Sequence, residues 1–269
     1  MQFYNHTLPS GAALVGYLRD ETTEMPAFNI RPAILILPGG GYAWCSKREA
    51  DPVAMQFLQA GYNVFILTYT CRKDDTQPPL RWQPLIDAAG AILHIRRNAA
   101  KFRVDPFKVA VCGFSAGGHL AASTAILWDA EPVQKALGIH AEEARPDAVV
   151  LGYPVITSGI MTHGGSIKNL CGDDAELKAT MSLENQIRGD LPPFFIWHTV
   201  EDGSVSVQNS LLLASALTEH KVPFELHLFN HDGHGTSTCT REVNTPNAHN
   251  RAWVDLCTDW LADLFNYHL

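Results

Sequence analysis

The chain has 269 residues, of which 46% are hydrophobic and 18% are charged, and its formal net charge is −8. This composition excludes a disordered chain and a small scaffold that needs disulfides or metals to hold its core. Because the charge is acidic and no run of Lys or Arg occurs, nucleic acid and anionic membrane surfaces are not expected partners. The length fits one large α/β domain or two small domains.

The sequence predicts a cytoplasmic location. Its first residues lack the basic and apolar regions of a secretory signal. The longest apolar stretch, residues 33–37, is far too short to span a bilayer. The six cysteines are scattered without a C-x-x-C pair, so we expect reduced thiols.

Short apolar runs alternate along the chain with longer amphipathic stretches, which is typical of a mostly parallel sheet covered by helices. The strands are predicted at residues 33–37, 64–69, 109–113, 148–153, 194–198 and 224–229. The helices are predicted at residues 49–60, 84–99, 116–127, 207–219 and 251–264. Residues 155–188 are less regular, and we expect them to be an excursion within a single domain that spans residues 1–269.

A nucleophile is predicted between the third strand and the third helix, where the chain reads GFSAGG at residues 113–118. This matches the G-x-S-x-G pattern, in which glycines allow a sharp strand-to-helix turn and the serine hydroxyl is exposed at the carboxyl edge of the sheet. Ser115 is therefore the predicted nucleophile. The alternative is a glycine-rich helix start that only packs against the sheet.

A glycine loop follows the first predicted strand, with the sequence PGGGY at residues 38–42. An acyl-transfer site needs backbone N–H groups aimed at the developing oxyanion, and glycines let the backbone approach closely. We therefore predict an oxyanion-binding loop. A phosphate-binding loop is the rival interpretation, but the sequence patterns of such loops are absent.

The acid of a catalytic triad is expected at the carboxyl end of a later strand. Asp202 follows the strand at residues 194–198, in a turn before a helix, and is the predicted acid. Glu201 is the close competitor. Asp190 precedes that strand and would fall at the wrong edge of the sheet.

The base is sought among twelve histidines. His234 follows the last predicted strand between two glycines, which give the backbone freedom to reach Ser115, and it is the predicted base. His231 is the alternative, whereas His119 is expected to pack or cap locally. The histidines near residue 231 lack the regular spacing of metal ligands, so neither a metal nor an organic cofactor is expected.

With elbow, glycine loop, acid and histidine in this chain order, the sequence resembles the α/β-hydrolases from about residue 34 to residue 260. Within them it is similar to the bacterial esterase and lipase group that has PGGGY in place of HGGG, related to the BD-FAE-like and hormone-sensitive-lipase-like carboxylesterases. The resemblance implies a mostly parallel central sheet with helices on both faces and a small or partial cap. It also implies a triad of Ser115, Asp202 and His234. The oxyanion hole would then consist of the backbone N–H groups of Gly39, Gly40 and Ala116.

The same resemblance implies a serine carboxylesterase for short-acyl esters, with acetyl groups on plant-polysaccharide fragments as one candidate substrate. Tyr42, Trp44 and Tyr153 lie beside the predicted site and are expected to stack on a sugar or bound an acyl pocket, unless they fill the rim of the core. The alternatives are a peptidase or amidase on the same triad and a non-catalytic binding protein. The expected partner is a small-molecule ester, and the oligomeric state, including a homo-oligomer, stays open.

Overall fold

A computed structural model describes residues 1–140 and 142–269. Within these residues, the strands form one eight-stranded sheet in the order β1-β2-β4-β3-β5-β6-β7-β8. The first two strands run antiparallel to their neighbours, and all later neighbours are parallel. The strands are β1 (Gln2–Thr7), β2 (Ala13–Leu18), β3 (Arg31–Leu37), β4 (Asn63–Thr68), β5 (Val104–Phe114), β6 (Ala148–Gly152), β7 (Phe194–Thr199) and β8 (Phe224–Phe229).

The predicted mostly parallel sheet is confirmed, and its six parallel strands are those predicted from apolar runs. Every residue of β3, β6 and β7 is buried, because helices cover both faces of the sheet at these strands. The carboxyl ends of the parallel strands therefore meet at one edge, where the loops that follow them can build a common site.

The antiparallel strands β1 and β2 were not predicted. In β2, buried residues alternate with more exposed ones, so the strand has one solvated face. The edge strand β1 has no fully buried residue, and its sequence QFYNHT is correspondingly polar. Both strands thus differ from the central strands β3, β6 and β7, in which every residue is buried.

Helices cover both faces of the sheet. The predicted helices are found with boundaries that differ by at most two residues, and α3, α5, α6 and α7 are additional. Helices α6 and α7 lie in the excursion at residues 155–188. No helix among the described residues has the length and apolarity needed to cross a membrane. The helices are α1 (Asp51–Gln59), α2 (Gln83–Arg97), α3 (Ala99–Phe102), α4 (Ala116–Ile126), α5 (Glu131–Leu137), α6 (Gly164–Cys171), α7 (Ala175–Thr180), α8 (Gln208–Glu219) and α9 (Ala252–Phe265).

Two hydrophobic cores lie on opposite faces of the sheet. The larger core includes residues of α2, α4 and α8, and the smaller one includes residues of α1 and α9. In the smaller core, the Trp253 ring of α9 stacks on the Trp197 ring of β7, with centroids 5.0 Å apart and an interplanar angle of 14°. The indole N–H of Trp253 donates to the Ser237 carbonyl at 2.9 Å, which ties α9 to the loop after β8.

Trp253→Ala is expected to lower the free energy of unfolding by about 3–5 kcal/mol, because it leaves a large cavity in a core that packs α9 against β7. Urea unfolding followed by circular dichroism measures the change. Phe107→Ala is the control, since Phe107 is 82% exposed and its truncation should cost no more than about 0.5 kcal/mol. Equal losses in the two variants would contradict this account of the core.

Candidate active site

The turn between β5 and α4 holds Ser115 in a strained conformation, with φ 55° and ψ −121°. Two glycines make the turn possible through close approach. A Cβ on Gly113 would lie 2.1 Å from the Gly117 carbonyl oxygen, and one on Gly117 would lie 2.1 Å from the Leu37 carbonyl oxygen. The serine hydroxyl is consequently presented at the carboxyl edge of the sheet, at the start of α4.

The structure brings the three residues of the predicted triad together. The Ser115 hydroxyl donates to Nε2 of His234, with Oγ and Nε2 2.8 Å apart. The other ring nitrogen of His234, Nδ1, donates to Oδ2 of Asp202 at 2.6 Å. Asp202 is buried and His234 is partly exposed. Ser115, His234 and Asp202 thus form one hydrogen-bonded chain from the surface cleft into the interior, the arrangement expected of a catalytic triad.

Asp202 is held by hydrogen bonds to both of its carboxylate oxygens. Its Oδ1 accepts the backbone N–H groups of Ser204 and Val205, both at 2.9 Å. Its Oδ2 also lies 3.3 Å from Nε2 of His198. Burial alone would raise the pKa of Asp202, but the hydrogen bonds from His198 and His234 hold that pKa well below its usual range. Asp202 is therefore ionised at neutral pH.

His198 is a contributor to this site that sequence reasoning did not select. It is the penultimate residue of β7 and is fully buried. Its Nδ1 lies 2.8 Å from the Ser210 hydroxyl, and its Nε2 lies 3.0 Å from the Val205 carbonyl oxygen. The sequence feature that could have identified His198 is its position four residues before Asp202, at the end of a predicted buried strand.

The competing acid and base lie together on the surface, away from the nucleophile. Nδ1 of His231 is 3.2 Å from Oε1 of Glu201, and both side chains are more than half exposed. They form an exposed side-chain contact of the kind that contributes little energy. No set of three His, Cys, Asp or Glu side chains in the described residues is arranged to hold a metal ion.

The structure corrects the predicted role of Gly39 in the oxyanion hole. Its N–H already donates to Oε2 of Glu49 at 2.8 Å, and Gly39 does not line the cleft beside Ser115. Gly40 and Gly41 do line that cleft. Within the described part of the chain, the N–H groups of these two glycines and of Ala116 donate to no protein acceptor. Gly40 and Gly41 are therefore the residues of the glycine loop that combine an unbonded N–H with a place at the cleft.

A cleft of about 190 Å³ opens at Ser115 and His234. Trp44 lies at its mouth with its side chain 62% exposed. His163, from the excursion at residues 155–188, forms part of one wall and was not predicted from the sequence. The other lining residues are Gly40, Gly41, Ser46, Arg48, Glu49, Ser204 and Gly235.

Tyr42 and Tyr153, which were predicted to contact substrate or to fill the rim of the core, both have buried side chains. The Tyr42 hydroxyl donates to Nδ1 of His119 at 2.8 Å, and the Tyr153 hydroxyl donates to Oε1 of Glu49 at 2.7 Å. Neither ring lines the cleft. Both rings belong to the hydrophobic cores, which favours the alternative that they fill the rim of the core. Of the three predicted aromatic residues, Trp44 lies at the cleft.

Comparison with known proteins identifies the family. Residues 24–217 match the family model described as BD-FAE. The chain belongs to the BD-FAE family. The resemblance to α/β-hydrolase esterases predicted from the glycine loop and elbow is thereby confirmed.

Relatives of this BD-FAE family member include carbohydrate-active proteins. The chain is 42% identical over 234 residues to a Butyrivibrio fibrisolvens protein named endo-1,4-beta-xylanase B, covering 85% of this chain and 35% of that protein. It is 28% identical over 211 residues to an acetylxylan esterase of Xylanibacter ruminicola, covering 76% and 40%. The chain thus spans little more than a third of the length of these two curated relatives.

A solved structure resembles the whole fold. The acetyl ester-xyloside bifunctional hydrolase of Caldicellulosiruptor lactoaceticus is 34% identical to this chain and superposes with a TM-score of 0.81. The match covers 97% of this chain and 90% of that one. The α/β-hydrolase fold is therefore shared over nearly its full length.

His119 connects the nucleophile helix to the excursion at residues 155–188. It lies one turn after Ser115 and is fully buried. Its Nε2 donates to the Met181 carbonyl at 2.9 Å, and its Nδ1 accepts the Tyr42 hydroxyl. Burial lowers the pKa of His119 from 6.5 to about 4, so the ring is neutral at physiological pH.

His119 should make the protein less stable as the pH falls from 6.5 to about 4. In that window the unfolded state binds a proton at this site that the folded state excludes, so the free energy of unfolding decreases by up to about 3 kcal/mol. His119→Gln should reduce the difference in unfolding free energy between about pH 7 and about pH 5, measured by urea titration. The exposed His220→Gln is the control and should keep the wild-type difference.

Proposed function

We propose that this chain is a serine carboxylesterase that hydrolyses short-acyl esters through Ser115, His234 and Asp202. The observation that carries the proposal is the unbroken chain of hydrogen bonds from Ser115 through His234 to Asp202, at 2.8 and 2.6 Å. Such a chain activates a hydroxyl for acyl transfer. The strained backbone of Ser115 supports the same role, since strain of this kind is concentrated at functional sites.

The reaction proceeds in two steps. His234 accepts the proton of the Ser115 hydroxyl at Nε2 while Oγ attacks the ester carbonyl carbon, and it then passes the proton to the leaving alcohol. Water next attacks the acyl-enzyme, giving its proton to His234, and the free acid leaves as Ser115 is protonated again. Asp202 keeps the ring of His234 oriented and stabilises its positive charge in both steps.

Three backbone N–H groups are proposed to bind the oxyanion, namely those of Gly40, Gly41 and Ala116. The first two line the cleft beside Ser115, and Ala116 directly follows the nucleophile at the start of α4. Preorganised donors of this type stabilise the tetrahedral intermediate without rearrangement. This proposal replaces Gly39, whose N–H is bound to Glu49.

The substrate class we infer is acetyl esters of xylan-derived oligosaccharides. The cleft of about 190 Å³ fits a small acyl group rather than a long chain. The exposed indole of Trp44 at its mouth offers a flat apolar surface for a sugar ring. The names of the relatives point the same way, since an acetylxylan esterase and an acetyl ester-xyloside hydrolase both act on acetyl groups.

Two properties of the whole chain complete the proposal. We infer that residues 1–269 act as one catalytic domain, because the contributing loops, from residue 40 to residue 234, follow strands of one sheet. We also infer a cytoplasmic location. The six free cysteines support it, since thiols stay reduced in that compartment.

Ser115→Ala is expected to lower kcat for p-nitrophenyl acetate by about 10⁴-fold or more, because it removes the hydroxyl that is hydrogen-bonded to His234. Asp202→Asn should cost a similar factor, since the ring of His234 would lose its acceptor and its orientation. Both are measured as initial rates on protein whose fold is checked by circular dichroism.

Glu201→Gln is the matched control for Asp202→Asn. Glu201 is the adjacent carboxylate, exposed and paired with His231, so its variant should keep rates within about twofold of the wild type. Wild-type turnover by Ser115→Ala would contradict the nucleophile, and a loss confined to Glu201→Gln would contradict the choice of acid.

The substrate class is tested with a series of p-nitrophenyl esters of increasing acyl length and with acetylated xylo-oligosaccharides. We expect kcat/KM to fall by at least about tenfold from acetate to octanoate, because the longer chain exceeds the cleft. We also expect release of acetate from the oligosaccharides. An undiminished rate with long chains, or faster cleavage of an aminoacyl amide than of the acetyl ester, would contradict the proposed substrate.

A further inference from the structure

A buried carboxylate, Glu49, lies directly behind the glycine loop at residues 38–42. It ends a short 3-10 turn, Lys47–Glu49, and is 3% exposed. Its Oε2 accepts the Gly39 N–H at 2.8 Å, and its Oε1 accepts the Tyr153 hydroxyl at 2.7 Å. The triad and the oxyanion hole do not account for a carboxylate at this place.

On one side, Glu49 determines the course of the glycine loop. A Cβ on Gly39 would lie 2.7 Å from Oε2 of Glu49 and 2.9 Å from Cβ of Ser115, so the loop is tightly packed between carboxylate and nucleophile. The hydrogen bond to Glu49 occupies the Gly39 N–H. The next two residues, Gly40 and Gly41, then adopt φ values of 128° and 65° and line the cleft.

On the other side, Glu49 is linked to the loop that carries the catalytic histidine. The Tyr153 oxygen that donates to Glu49 accepts the Ser237 N–H at 2.9 Å. The Tyr153 ring also packs edge-on against the His234 ring, with centroids 4.9 Å apart. A second link runs from the Ser237 hydroxyl to the Arg48 carbonyl at 2.5 Å.

Stability alone does not explain the carboxylate. The two groups that donate to it are a backbone amide and a phenol, both neutral. Burial raises the pKa of Glu49, and the hydrogen bonds from Tyr153 and Gly39 act against that rise. Burial of a carboxyl group away from water costs free energy, and buried charges are usually paired with an opposite charge. A group that costs stability at a catalytic centre is usually there for its effect on the reaction.

We propose that Glu49 is a positioning residue for acyl transfer, which holds the oxyanion loop and the histidine in their working relative positions by accepting one hydrogen bond from each side. The inference rests on the proposed function, because positioning has meaning only if Ser115 reacts. Glu49 lines the cleft, but its two carboxyl oxygens accept the Gly39 N–H and the Tyr153 hydroxyl, so it acts through these two residues. Its effect should therefore appear in kcat rather than in KM.

The test compares Glu49→Ala with Glu49→Gln in p-nitrophenyl acetate hydrolysis. Glu49→Ala removes both acceptors, and we expect kcat to fall by about 100-fold with KM changed by less than about threefold, because displacements of about 1 Å at reacting groups cost this much. Glu49→Gln keeps an oxygen for the Gly39 N–H and leaves the Tyr153 hydroxyl hydrogen without an acceptor. It should therefore lose only about tenfold in kcat.

Tyr153→Phe removes only the hydrogen bond that links Glu49 to the loop of His234. We expect it to lower kcat by a factor between those of Glu49→Gln and Glu49→Ala. Combined with Glu49→Ala, it should add little further loss, because both changes act on one hydrogen-bonded network. Losses that multiply in the double variant would contradict the shared network.

Glu184→Ala is the matched control for a purely structural loss. The Glu184 carboxylate also accepts two protein donors, from Thr157 at 2.6 Å and Ser182 at 2.8 Å, and it does not line the cleft. Its variant should lower the thermal midpoint and leave kcat of the folded enzyme within about twofold of wild type.

Two outcomes overturn the inference, and they are distinguishable. If the wild type is active and Ser115→Ala is not, but Glu49→Ala keeps kcat within about threefold or loses no more than Glu184→Ala, the positioning role alone is wrong. If the wild type neither hydrolyses acetyl esters nor reacts with a fluorophosphonate probe, the proposed function is wrong and this inference is overturned with it.

Discussion

The close contact between β5 and α4 is the constraint on which the site depends. Helix α4 can approach the end of β3 only because Gly117 has no Cβ, and the strand can turn into the helix only because Gly113 has none. The approach forces Ser115 to φ 55° and places its hydroxyl above the sheet edge. The glycine loop, Asp202 and His234 each lie near this hydroxyl because each is on a loop that follows a parallel strand.

The parallel strands could be predicted because strands that are buried on both faces of a sheet consist mainly of apolar residues. Strands such as β3 and β7 are runs of apolar residues in the sequence, and every one of their residues is buried in the structure. The antiparallel strands β1 and β2 were not predicted, because the edge strand β1 buries no residue completely and its neighbour β2 is solvated on one face. The short helices α6 and α7 were not predicted because they have only eight and six residues, too few to show a helical period in the sequence.

The residues of the candidate site also fall into two groups, those that could be predicted from the sequence and those that could not. Ser115, Asp202 and His234 follow from chain order and from their places after strands, and the geometry agrees with that reading. Gly39 could not be excluded from the sequence alone, because its hydrogen-bond partner is fixed by the turn at Lys47–Glu49, which folds back under the loop. The orientation of the buried Tyr153 ring likewise depends on Glu49, 104 positions away in the chain.

The wall of the cleft that contains His163 comes from the segment between β6 and β7, outside the sheet. This segment is attached to the glycine loop through the Asn169 side chain, which donates to the Gly41 carbonyl at 2.9 Å. Mutations in it can reshape the cleft while the elbow and the triad are preserved, so new substrate ranges can evolve by changes in one insertion. The Asn169 contact limits that freedom, since any replacement segment must still support Gly41.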